Sequence, residues 1–211
     1  ILTLADNTTN TITDSSRLST EEDYSAAIYS KEDLIINGNG TLNVNAGYRN
    51  GIKSTDDCII VSGTLNITST EDGIIGKDLC GVVAGDININ AGSDGIKSTY
   101  DTDTTKGNVI IEGGNITIKA SNDGIQAENI LVINDGAINI KTNNGAADTT
   151  QTHIDNMDMG RGGFGFNNNK TTTTTDDTSE SRKGIKAGNM LIINDGDITI
   201  DSDDDSVHCN S

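Results

Sequence analysis

Proline and tryptophan are absent from this 211-residue chain, and its aromatic residues are two phenylalanines and four tyrosines. With aromatics at 3% and hydrophobic residues at 33%, a large globular core filled by rings is excluded. Basic residues are also scarce, 14 Lys+Arg against 32 Asp+Glu, a formal net charge of −18. No basic stripe interrupts that imbalance, so phosphates are repelled, nucleic acid is excluded as a partner, and small cations are favoured. No run of about 18 apolar residues exists, so no transmembrane helix is expected. Cys58, Cys80 and Cys209 lack zinc-ligand spacing and are too few for a disulfide scaffold. The two histidines, His153 and His208, build no Ser-His-Asp set and no His-Glu-x-x-His motif, and no Gly-Lys-Thr loop is present to cradle phosphate. The chain opens on Ile1 rather than Met, which together with the composition points to a processed, extracellular or cell-surface protein.

What the chain has is a period. A Gly-Ile step recurs at Gly51-Ile52, Gly73-Ile74, Gly95-Ile96, Gly124-Ile125 and Gly184-Ile185, with two successive spacings of 22 residues and a third of 29. A second glycine follows each step, at Gly63, Gly85, Gly114, Gly136 and Gly196. Apolar residues fall two and four places after it (Leu65/Ile67, Ile87/Ile89, Ile116/Ile118, Ile138/Ile140, Ile198/Ile200), and another alternating pair precedes it, as in Cys58/Ile60 and Val109/Ile111. Alternation of this kind is the mark of strands, three short ones per period. Hairpins would require their own turn signals between neighbours. A coil does not: if each period is one turn of a parallel β-helix, every strand pairs with its counterpart one turn away, about 4.8 Å distant. The expected fold is therefore all-β, one solenoid domain over residues 1–211, with loop insertions at about 99–107 and 148–183 and no C-terminal cap within the chain.

Stacking turns predicts columns. Ser30, Ser54, Gly76, Ser98, Ala127, Ala187 and Cys209 form a small inward column, and Cys58 and Cys80 share an aliphatic one, as buried thiols in preference to a bond between turns. Outward, Asn43, Asn66, Asn88, Thr117, Asn139 and Thr199 form an amide and hydroxyl ladder. Ile35, Ile59, Ile110, Val132 and Ile192 form an apolar outward column broken by Gly81, which calls for a cover or partner.

The chemistry concentrates before the Gly-Ile step, at Asn50, Asp72, Asp94, Asp123, Asn144 and Asp205, often preceded by another acid or amide, as at Glu71, Asn122, Asn143 and Asp204. Two carboxylates about 5 Å apart repel by roughly 3 kcal/mol at an effective dielectric near 20, so such a ladder needs compensation, and Ca²⁺ with its preference for oxygen donors supplies it. The alternative is turn chemistry, each Asp bonding its own backbone while glycine takes a positive φ. Asp101-Thr-Asp103 begins like an EF-hand loop with Glu112 at its twelfth place, but Lys106 stands where that loop needs glycine. Two places after the Gly of each step an outward column carries Tyr29, Lys53, Ile75, Lys97, Gln126, Lys186 and His208. Its lysines either grip a carboxylate- or hydroxyl-bearing polymer or neutralise the aspartates. Tyr48, Tyr100, Phe164 and Phe166 sit in turns or loops where rings stack on sugars.

The repeated Asp-Gly-Ile-Lys-Ser, the phrases INDGAINI (Ile133 to Ile140) and INDGDITI (Ile193 to Ile200), and the terminal DDSVHCNS resemble the carbohydrate-binding parallel β-helix family found on the surface of cellulose-degrading anaerobic bacteria. The resemblance runs from LTLADNTT onward, except for the Gly/Thr-rich insertion. It implies a right-handed coil similar to pectate lyases, bound calcium, and binding without cleavage of acidic plant polysaccharide such as polygalacturonate, and of cellulose. The family's Asp-Gly step maps onto Asp72, Asp94 and Asp123; the chain departs from it at Asn50, Asn144 and Lys183. The expected function is non-catalytic, calcium-dependent polysaccharide binding, with Lys53, Lys97, Lys186 and Tyr100 on the sugar. Two readings compete with it: a calcium-dependent lyase with Lys53 or Lys97 as a base of lowered pKa, and a structural stalk or adhesin segment.

Overall fold

The computed structural model describes residues 1–15, 25–146 and 181–210, and within them the only regular structure is β-strand. The long insertion falls almost wholly outside the described residues, and with it His153, Phe164 and Phe166.

Three parallel sheets of seven strands each run the length of the chain. Sheet A contains Leu2–Leu4, Leu34–Gly38, Cys58–Ile60, Leu79–Val82, Asn108–Ile111, Ile130–Ile133 and Met190–Ile193; sheet B contains Thr9–Asp14, Thr41–Ala46, Thr64–Ser69, Asp86–Ala91, Asn115–Ala120, Ala137–Thr142 and Asp197–Asp201; sheet C contains Ala26–Ser30, Asn50–Ser54, Ile74–Gly76, Ile96–Ser98, Ile125–Ala127, Ile185–Ala187 and Val207–Cys209. The chain visits A, B and C in turn and then begins again, so each strand pairs in parallel with the one a full coil away. This is the parallel β-helix that the period predicts.

The register matches the columns read from the sequence. Ile87 lies between Leu65 and Ile116, Ile96 between Ile74 and Ile125, and Cys80 directly over Cys58. The large inward side chains are almost entirely Ile, Leu and Val and reach zero exposure through the middle coils, with Ser, Ala and Cys in the narrower columns. Burying each contributes about 1.5–3 kcal/mol. No ring is needed, because a three-sided tube one side chain deep is filled by branched aliphatics stacked on their own kind. Both buried cysteines are unbonded thiols. Burial pushes the Cys80 thiol up to about 12, and burial followed by the neighbouring Cys80 raises Cys58 well above the usual range.

Two glycine columns make the corners, for different reasons. Gly85, at the corner between sheets A and B, takes φ +117, open to glycine and strained for other residues. Gly95, in the Gly-Ile step, is not in that region; a Cβ there would lie 2.5 Å from the carbonyl oxygen of Gly124 and 2.5 Å from Ile118 Cγ2. The Asp-Gly step is thus a point of close approach between coils and not a positive-φ turn, which corrects the turn-chemistry reading above.

Both long interruptions within sheet-to-sheet connections, residues 16–24 and 147–180, lie between sheets B and C, and the Tyr100–Lys106 excess lies between C and A. The corner between A and B is a short glycine turn in every coil after the first, and it leaves sheet B open on that side.

Candidate functional site

The column before the Gly-Ile step is a ladder of hydrogen bonds from coil to coil. Asn50 Oδ1 accepts the backbone N–H of Asp72 at 3.0 Å, Asp72 Oδ1 that of Asp94 at 3.0 Å, Asp94 Oδ1 that of Asp123 at 2.9 Å, and Asp123 Oδ1 that of Lys183 at 2.8 Å. Below it, Asn50 Nδ2 donates to the Ser25 carbonyl at 2.7 Å. The second carboxylate oxygens of Asp94 and Asp123 meet lysines of sheet C: Lys97 Nζ stands 2.6 Å from Asp94 Oδ2 and Lys186 Nζ 3.3 Å from Asp123 Oδ2. Asp94 and Asp123 are almost fully buried. The charge of the stacked acids is thus met in part by amides and, at Asp94 and Asp123, by ammonium groups.

The rung after Asp123 is filled by Lys183, not Asn144. The chain leaves the coil at Asn143 (φ 47) and Gly145 (φ 73) and rejoins it at Lys183, so Asn144 is carried off the column into an exposed position. Asn143 is displaced too: its N–H donates to Ala120 O, level with Ser121, and its side chain bonds Asp203 Oδ2 at 2.9 Å. Asn122 does stack where expected, with Nδ2 3.3 Å from Ser93 Oγ, and Glu71 makes an exposed 3.9 Å contact with Arg49. Asp204 pairs with Lys183, and Asp205 lies 2.9 Å from His208 Nδ1.

The outward row of sheet C is as predicted, in unbroken register from Tyr29 through Lys53, Ile75, Lys97, Gln126 and Lys186 to His208. Burial lowers the pKa of Lys97, but the Asp94 carboxylate, helped by Asp72 and Glu128, more than reverses this and holds it above the ordinary lysine value. That is opposite to what a proton-abstracting lysine needs. The Lys97 ammonium still has two further N–H donors along the row, while Lys186 Nζ also donates to Ser181 Oγ at 3.5 Å. Lys53 has no ion pair among the described residues.

Tyr100 stands at the corner between sheets C and A, with the Lys77 and Lys106 ammonium groups 4.7 and 5.0 Å from its ring centroid. The neighbouring loop is not an EF-hand. Asp103 Oδ1 accepts the N–H and hydroxyl of Thr105 at 2.9 and 2.7 Å, which lowers its pKa, and Glu112 lies past the end of its sheet A strand, accepting from Asn134 Nδ2 at 2.8 Å.

The same corner holds a group the repeat did not reveal. Single oxygens of Asp33, Asp56 and Asp57 lie within 4.8 Å of one another. A hydrogen bond with Asp78, then burial and the surrounding acids raise Asp56, while burial first and then Asp33 and Asp78 raise Asp57. Ca²⁺ with oxygens at about 2.3–2.6 Å spans such a separation, so of the acids in the described residues these fit a hard cation best. The signal was present as Asp56-Asp57 one coil above Asp33, outside the column on which the Gly-Ile step draws attention.

A family model described as carbohydrate-binding domain-containing protein matches residues 1–211. The chain belongs to that carbohydrate-binding domain family. A carbohydrate-binding domain-containing protein of Acetivibrio thermocellus is 38% identical over 68 residues, 30% of this chain and 24% of the relative. The structure of the polysaccharide lyase-like protein from C. thermocellum, a gadolinium derivative, is similar with a TM-score of 0.63 and 33% identity, over 67% of this chain and 58% of that one. The chain thus spans about a quarter of the length of the first relative and under two thirds of the second. The partner expected of a carbohydrate-binding domain is a polysaccharide, and no described helix is long and apolar enough to cross a membrane.

Proposed function

We propose that the sheet C row binds acidic plant cell-wall polysaccharide such as polygalacturonate, without cleaving it, outside the bacterial cell or on its surface. The observation that carries this reading is the row itself: Lys53, Lys97 and Lys186 on alternate rungs of one face, in a carbohydrate-binding domain. Alternate rungs place ammonium groups about 10 Å apart, a spacing suited to the repeating carboxylates of an extended polymer lying along the axis.

Calcium belongs to the same proposal, at Asp33, Asp56 and Asp57. A net charge of −18 opposes an anionic ligand, and a divalent ion between protein and polymer carboxylates relieves that repulsion. The lyase alternative with Lys97 as its base is disfavoured by the raised pKa of that lysine.

Passing the protein over immobilised polygalacturonate tests both parts. Retention with calcium, release by chelator and weaker retention of Lys53→Ala are expected; failure to be retained at any calcium concentration would sink the reading. Appearance of unsaturated product absorbing in the ultraviolet would establish the lyase instead.

A further inference from the structure

The outward face of sheet A is apolar. Ile35, Ile59, Ile110, Val132 and Ile192 follow one another up its middle row, with Gly81 in the gap between Ile59 and Ile110. Val83, 44% exposed, widens the row on the side of sheet B, and Ile130 and Met190, the latter 50% exposed, widen it on the side of sheet C. Six coils make a stripe about 24 Å long, and its three rows, each two strand positions from the next, span about 14 Å. Contiguous apolar surface of this kind marks an interaction site.

Glycine weakens the interior of a strand and often marks the close approach of a ligand or another backbone. Nothing in the fold requires it at residue 81: it is not one of the positive-φ glycines, and a Cβ there would meet only Ile59 side-chain atoms, at 3.6 Å or more. It leaves a hollow one side chain deep between Ile59 and Ile110, which stand two coils, about 9.6 Å, apart. The charges around the stripe are of one sign. No lysine or arginine lies in any strand of sheet A; Asp33 and Asp57 lead into two of the strands and Glu112 follows a third. At the corner towards sheet B, Asp135, Asp195 and Asp197 line a depression of about 360 Å³. A second copy of the chain, at −18 and with the same acids, is repelled, as are anionic lipids and acidic polymers. A stripe of about 24 by 14 Å also falls well short of the roughly 800 Å² per partner of a stable protein pair. An α-helix about 10–12 Å across and about 16 residues long covers it.

We infer that the sheet A stripe docks a basic amphipathic helix of a protein partner. One apolar side chain of the helix fills the hollow at Gly81, and its Lys or Arg side chains meet Glu112, Asp135 and Asp195. The stripe and the lysine row lie on different sheets of the tube, so this inference does not rest on the polysaccharide reading. With both faces occupied, one molecule joins a protein to a glycan.

Fluorescence anisotropy tests it with a labelled peptide of about 16 residues, its leucines recurring every three or four positions among lysines, beside a scrambled peptide of the same composition. Both carry the same charge, so only the ordered one offers an apolar face, and it is expected to bind at least about tenfold more tightly. Gly81→Ile alters no charge and fills the hollow with the side chain that the row otherwise carries. It is expected to weaken binding about tenfold, with the thermal midpoint not lowered and retention on polygalacturonate unchanged. Val83→Ser, an outward change away from the hollow, is expected to act in the same direction. Equal binding of the two peptides, or variants that bind the ordered peptide as wild type does, overturns the inference and leaves the lysine-row reading standing. A wild-type dimer in sedimentation equilibrium that Gly81→Ile dissociates overturns it in favour of a second copy, and flotation with anionic vesicles that Gly81→Ile abolishes overturns it in favour of a lipid surface.

Discussion

Asp123 is the place where the ladder crosses the long insertion, and Asp123→Ala is a stringent trial of the claim that amides and lysines neutralise the stacked acids. The side chain is 1% exposed; its Oδ1 accepts the N–H of Lys183 at 2.8 Å and its Oδ2 stands 3.3 Å from Lys186 Nζ. Loss of a hydrogen bond to a charged acceptor costs about 1.5–3 kcal/mol. The abandoned Lys186, whose side chain is 24% exposed, recovers part of its hydration and adds about 1 kcal/mol more. The sum is about 3 kcal/mol. Asp123→Asn keeps the Oδ1 acceptor while losing the charge, and should cost about half as much. With a urea m-value of about 2–3 kcal/mol/M, the alanine change lowers the unfolding midpoint by about 1–1.5 M. Urea titration followed by circular dichroism, with and without saturating calcium, reads this directly. A midpoint within 0.2 M of wild type, on the order of the noise of such extrapolations, would refute the ladder as a source of stability. A midpoint that calcium alone restores would return the column to the role of metal rail.

Gly95→Ala should lower stability by about 1–3 kcal/mol, because its Cβ is directed at the Gly124 carbonyl and at Ile118 Cγ2; Gly81→Ala, whose Cβ would meet only Ile59 at 3.6 Å or more, should be near neutral in the same thermal melts. In alkali, the Lys97 pKa is raised by folding, so the stability it contributes is whole below about pH 10.5 and is lost as pH climbs through the folded value; Lys97→Met should flatten that limb of the pH–stability curve. Thiol labelling of the native protein at neutral pH should modify the exposed Cys209 quickly and Cys58 and Cys80 only on unfolding, a result checked by mass spectrometry and contradicted by three equal rates.

The arrangement of strands was legible because a β-helix repeats its pairing at every coil: once Ile52, Ile74 and Ile96 are seen 22 residues apart, every other column follows. The lysine row and the amide ladder followed on the same terms. What escaped was set by features that do not repeat. Asn144 looked like a rung because it precedes a glycine, yet the chain departs for the insertion one residue earlier, and Lys183 closes the gap. Hydrogen bonding from each Asp to the next coil's amide was hidden because side-chain direction at a corner is not encoded by alternation. The Asp33, Asp56 and Asp57 group depends on an adjacency of corners that no single coil displays.

The pairing of Ile125 with Ile185 crosses 60 positions of sequence yet has the same register as pairings that cross 22. The corner between sheets B and C is therefore a docking port for foreign sequence: whatever is spliced between Asn143 and Lys183, the rungs above and below need only find each other's backbone. A protein engineer can hang a tag, a second binding loop or an enzyme there, and an evolving lineage can do the same, with the rails on the other faces left in step.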